Sequence, residues 1–181
     1  MNLRKLIGLA CALLLLSGCA QASPDAHQGM KMSAPVSCEI PGLVSAFDAA
    51  VPGSKYVVTD WQPSVGTDLY DAINNGGIAC TYGIQVAEVG GTVLFGNLDS
   101  AQWDKKKSQW LADGQIAIDL PGIDESDAVI LKEGSTGADE MHIWGVNLLI
   151  HGVWIQVNAS FLQTIDEALP LIKAAIAALK E

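Results

Sequence analysis

The groups in this 181-residue chain whose types and spacing could do chemistry are three histidines, four cysteines, five tryptophans, one acidic turn and one basic run. His142 and His151 stand at opposite ends of one strand-like run. At ~3.3 Å per residue they are about 30 Å apart, too far to share a substrate or a metal. His27 lies near Met30 and Met32, soft donors of the kind copper takes, but within a polar stretch that reads as spacer. Asp119, Asp124, Glu125 and Asp127 offer oxygens suited to calcium without the alternating spacing of a calcium loop, and read as a solvated turn. Lys105-Lys106-Lys107 reads as an exposed helix face. The chain holds no GxSxG, phosphate-binding loop, HExxH, dinucleotide glycine motif or EF-hand loop. No catalytic set, metal or cofactor is called for, and binding is favoured over catalysis.

The elements that must position these groups begin after a leader. Leu16-Ser17-Gly18-Cys19 closes an apolar run that starts beyond Arg4 and Lys5. The run is about twelve residues, where about twenty are needed to cross a bilayer as a helix. It resembles a bacterial lipoprotein signal. The resemblance implies cleavage before Cys19, acylation of that cysteine by chains such as palmitate, and an outward-facing place at the cell membrane. Residues 1–18 are then the signal peptide, 19–37 a flexible tether rich in Ala, Ser, Gln and Pro, and 38–181 a single domain.

Losing the leader removes Cys11 and two basic residues, so the formal net charge moves from −10 to −12. Such a surface repels nucleic acid and anionic head groups, which leaves the lipid to hold the protein at the membrane. Cys38 and Cys80 remain as a pair. In an oxidising exterior they are most simply a disulfide, with a metal site or two free thiols as the alternatives. Two sulfurs without a CxxC or a nearby histidine make a poor zinc site.

Within the domain, residues 41–51 carry apolar groups at helical spacing and stop at Pro52-Gly53. Residues 56–59 read as a strand, followed by a Pro-, Gly- and Asp-rich loop and the turn Asn74-Asn75-Gly76-Gly77. Residues 78–86 and 92–95 form a hairpin, and 100–111 a helix with Ser100 as N-cap and Gly114 at its end. Strands follow at 115–120 and 128–132, and a hairpin at 141–150 and 153–159 turns on His151-Gly152. In that register Ile150 faces Val153, Leu148 faces Ile155, Val146 faces Val157 and Trp144 faces Ala159. The last helix should cover the sheet with Phe161, Ile165, Leu169, Ile172, Ile176 and Leu179, and Pro170 should kink it or mark where its regular part begins.

The pattern predicts an α+β fold, an antiparallel sheet sandwiched by helices. The aliphatic face of the 141–159 hairpin must be buried. Its other face carries Trp154, Asn147, Leu149, Gln156 and Asn158, an aromatic beside amides, which suits a groove for a sugar, peptide or lipid head group. The competing reading is that a helix covers this face with the amides at its wet margin. Trp103 and Trp110, seven apart on the middle helix, read as core, as does Trp144.

The lipobox, the tether, Cys38 before the first helix and Cys80-Thr81-Tyr82 together resemble small actinobacterial lipoproteins of unknown function with a two-cysteine domain. The resemblance implies an α/β/α, Mog1/PsbP-like architecture and supplies no catalytic residues. The expected role is a membrane-anchored, extracytoplasmic module that binds a small ligand or an envelope protein. An enzyme acting on cell-envelope material and a lipid carrier are the alternatives.

Overall fold

The computed structural model describes residues 32–123, 127–133 and 143–180, without the side chains of 128–133 and 143–144. The readings at Cys11, Cys19, His27, Met30, Asp124, Glu125 and His142, and that of Trp144 as a core side chain, lie outside what is described.

Pro41 opens α1 (Pro41–Ala50), where its fixed φ suits the first helical turn, and Leu43 and Phe47, four apart, are its buried residues. Next come β1 (Lys55–Val57), α2 (Asp68–Asn74), β2 (Ile78–Ile84), a 3₁₀ turn at Gln85–Ala87 and β3 (Val89–Asn97). The second half comprises α3 (Ser100–Ala112), β4 (Ile116–Ile118), β5 (Asp127–Glu133), β6 (Ile143–Ile150), β7 (Val153–Ala159) and α4 (Ile165–Ala177).

The seven strands form one sheet in the order β1-β2-β3-β7-β6-β5-β4, with every pair antiparallel. The β6–β7 register is the expected one, with Ile150 opposite Val153 and Trp144 opposite Ala159. His151 and Gly152 both have positive φ, 51° and 80°, as a two-residue type I′ turn requires.

Alternation along the strands then divides the side chains between two cores. Val153, Ile155, Val157 and Ala159 of β7 join Val93, Phe95, Cys80 and Tyr82 beneath α1 and α4. Trp154 and Leu94 join Ala72 of α2 and Trp103 and Trp110 of α3 on the opposite face. The fold is α+β, an antiparallel sheet with helices on both faces.

Several details depart from the sequence pattern. The 60–77 stretch expected as loop contains α2, capped by the Thr67 side chain, which accepts from the Tyr70 N–H at 3.2 Å. Gly96 makes room for it, since a Cβ there would lie 3.1 Å from both the Ala72 Cα and the Trp154 ring. The cap of α3 is Asp99, not Ser100, and it forms a reciprocal capping box with Gln102. The last helix begins at Ile165 with Thr164 as cap, and its buried stripe is Ala168, Leu171, Ile172 and Ala175. Phe161, Ile165, Leu169 and Ile176 are only half-buried, because small Ala168 and Ala175 let the helix approach the sheet on that line. Pro170 lies inside α4 on its exposed side.

Cys38 and Cys80 are joined, their Cα atoms 5.2 Å apart. The Tyr82 hydroxyl donates to the Cys38 carbonyl at 2.8 Å, which fixes the chain on the N-terminal side of α1 against β2. On the chain-entropy account, closing a loop of this length contributes about 4 kcal/mol. A Cys38→Ala/Cys80→Ala variant should lose about that much in urea unfolding, and reduced wild type should lose the same. An unchanged midpoint would show that the bond contributes nothing.

Candidate functional site

The Trp154 face is not an open groove. Trp154 is fully buried and Asn147 is 2% exposed, while Leu149, Gln156 and Asn158 are half-buried. The groove reading is corrected here, because the chain fills the space itself. Trp110 packs on Trp154 with ring centres 5.5 Å apart, Trp103 packs edge-on against Trp110 at 5.4 Å, and the Lys106 ammonium sits 4.8 Å above the Trp154 ring. Trp103, Lys106 and Trp110 come from one face of α3, at positions i, i+3 and i+7.

Beneath α3 runs a continuous hydrogen-bond network. The Trp154 indole N–H and the Gln156 amide both donate to Asn147 Oδ1 at 2.9 Å, and the Asn147 amide donates to Gln115 at 3.2 Å. Gln156 also donates to Asp68 Oδ2 at 3.0 Å, the Trp110 indole donates to the same oxygen at 3.1 Å, and Asn158 donates to Gln156 at 2.9 Å. Lys106 closes the network with ion pairs to Asp68 at 2.8 Å and Asp71 at 2.7 Å. Among the described residues no buried side-chain nitrogen or oxygen lacks a partner.

Lys106 and Lys107 therefore do not belong to an exposed basic face. The Lys106 side chain is only 13% exposed, and Lys107 pairs with Asp127, which also accepts from the Trp103 indole at 2.7 Å. Burial alone would pull the Lys106 ammonium down, but its bonds and attraction to Asp68 and Asp71 outweigh this and hold it above its ordinary value. An amine kept charged in this way has no free lone pair for nucleophilic attack at neutral pH. The network clamps α2, α3 and the sheet together.

Of the residues singled out by sequence, the structure brings together Trp154, Asn147, Gln156 and Asn158 with Trp103, Trp110 and Asp127. It leaves His151 at the β6–β7 turn. Sequence reasoning missed Asp68 and Asp71, since α2 itself was missed. It also missed the inward side of Lys106, although Lys106 falls at helical spacing between the two tryptophans.

Two depressions elsewhere are shallow and open. One of about 460 Å³ lies beside Glu39, Pro41, Val44, Ser45 and Tyr56, and another of about 320 Å³ lies along the β2–β3 hairpin near Thr81, Gly83, Gly90 and Thr92. No family model, curated protein or solved structure matches this chain.

Lys106→Met should destabilise the domain by about 2 kcal/mol, less than the ~3–5 kcal/mol of a fully buried broken pair because Asp68 and Asp71 remain partly hydrated. Lys107→Met, in a more exposed pair, should cost under about 1 kcal/mol; equal losses in urea unfolding would contradict the clamp. Burial, and then repulsion from Tyr56, also push the Tyr82 phenol up. Both groups have raised folded values. Their stabilisation is complete below the ordinary values of 10.5 for lysine and 10.0 for tyrosine, and is lost as pH rises beyond them. Alkaline unfolding of Tyr82→Phe and Lys106→Met should accordingly show a shallower decline above pH 10 than wild type.

Proposed function

We propose that this chain is an outward-facing envelope lipoprotein whose domain acts through protein contact rather than by enclosing a small ligand or a lipid. The anchoring half of this reading rests on the sequence, on Cys19 behind Leu16-Ser17-Gly18 and a leader too short to cross a bilayer. The observation that carries the other half is the filled Trp154 face, where Trp110 and Lys106 occupy the space a ligand would need. Apolar side chains are instead displayed outward at Val58, Val65 and Val86, which are 82%, 80% and 97% exposed. Single exposed valines are ordinary on any protein; here they sit on loops and a hairpin tip, the segments that most often carry contacts.

Native mass spectrometry of the domain recovered from its own envelope tests the binding half. The expected result is the bare chain mass or a complex with a second protein, and a retained lipid or sugar mass would overturn the reading. For the anchor, wild type should partition into detergent with an acylated N-terminal Cys19, and Cys19→Ala should remain unacylated.

A further inference from the structure

We infer that the domain is held with one particular end of its sheet toward the membrane, the end carrying the β6–β7 turn and Lys180, and presents the β2–β3 hairpin tip outward. This rests on the anchoring reading and adds to it which surface is displayed.

The strands define two ends. His151-Gly152, the Asn97 end of β3 and the Asp127 end of β5 lie together, since Asn97 pairs with Val153 and Asp127 with Leu149. At the other end Ile84 pairs with Val89 around the exposed 85–88 tip, and Gly91 pairs with Ala159. Along β6 these ends are separated by roughly 25 Å.

The chain enters the domain wholly at the first end. The Met32 N–H donates to the His151 carbonyl at 3.2 Å, and Ser33 and Lys180 exchange backbone hydrogen bonds at 2.7 and 3.1 Å. The Ala34 N–H donates to the Asn97 side chain at 3.3 Å, and Ala34 is 6% exposed. Met32 packs on the edge of the main core. Residues 32–35, within the stretch that reads as tether, are thus a strap fixed across the end of the sheet before the chain reaches Cys38. The disulfide, three residues into β2 from the same end, holds the strap from its other side.

Only about 13 residues separate Cys19 from Met32; a chain of that length reaches at most ~45 Å, and one with the Ala-, Ser-, Gln- and Pro-rich composition of a tether spans about 20 Å on average. That coil length is shorter than the distance between the two ends, so an anchored domain cannot sample all orientations equally. Orientations in which the tip points inward require the tether to stretch around the domain and are therefore disfavoured. The surface left facing outward carries Val86 and the open trough of Thr81, Gly83, Gly90 and Thr92.

The test uses the full acylated chain in phosphatidylcholine vesicles that carry an acceptor dye on the head group. Donor dyes are placed on single cysteines at exposed positions, Ser33→Cys and Lys180→Cys at one end, Val86→Cys and Ala87→Cys at the other. Energy transfer from the first pair should exceed that from the second by about twofold or more. Equal transfer, or more from the tip, in a chain that does co-sediment with vesicles would overturn the orientation and leave the anchor standing. A chain that carries no acyl group and does not co-sediment would overturn the anchor and the orientation with it.

Discussion

The register of the β6–β7 hairpin is the constraint on which both cores depend. The two central strands of the sheet are antiparallel neighbours joined by two residues, and side chains alternate faces with a period of two. With His151 and Gly152 in the turn, every aliphatic of β7 points toward α1 and α4 and every amide toward α2 and α3. A slip of one residue would place Gln156 and Asn158 beneath α4 among leucines and isoleucines, with no partner for either amide. Each orphaned amide would cost about 1–3 kcal/mol, so the competing register is excluded by polar groups as firmly as by apolar ones.

The same division explains why the two helical layers differ in chemistry. The α1/α4 layer is almost wholly apolar and is held by area, with Leu43, Phe47, Leu171 and Ile172 fully buried. The α2/α3 layer covers a face that is half amide, and a purely apolar cover would have left Asn147 and Gln156 unsatisfied. Indoles solve this because each presents flat apolar area and a single N–H donor. Asp68 then collects donors from Trp110 and Lys106 of α3 and from Gln156 of β7, so one carboxylate on a seven-residue helix joins α2, α3 and the sheet. Truncating any one member leaves the others short of a partner, which makes this layer more specific in geometry than its small size suggests.

How much of this the sequence discloses follows from which signals are local. The β6–β7 pairing, its turn, the two-sided sheet and the cysteine pair are legible, because alternation and a His-Gly turn act within a short stretch, and setting Cys11 and Cys19 aside as parts of a leader-like segment leaves two cysteines. Helix α2 is harder to read. It is seven residues long, stands between proline- and glycine-rich segments and has little apolar periodicity; its one local signal is Thr67 with Asp68 and Asp71 in the first turn. The covering of Trp154 depends on that helix and on Lys106 turning inward. Both are decided by contacts from residues 68 to 156, a span over which pattern carries no information. The α4 stripe shifts for a related reason: size, not hydrophobicity, decides which line of a uniformly apolar helix comes nearest the sheet, and alanines win.

The sheet ends in short strands on both sides, and the molecule secures each differently. Strands β1 and β4 have three residues each, too few to add much ladder energy, and a short edge also discourages pairing with another chain. On the β1 side the covalent bond between Cys38 and Cys80 ties the chain to β2, and beyond Val57 the Trp61 indole donates to the Ala79 carbonyl at 2.9 Å, a strand-edge acceptor that β1 does not reach. On the β4 side there is no covalent tie among the described residues. Asp127 of β5 takes that part, accepting from Trp103 and Lys107 and so fastening the outer strands to α3. The first arrangement persists only where thiols are oxidised, while the second is a hydrogen bond and an ion pair to α3 that do not depend on the redox setting. Reduction would therefore release the β1 side and leave the β4 side fastened, so both edges are held together only while the disulfide is intact.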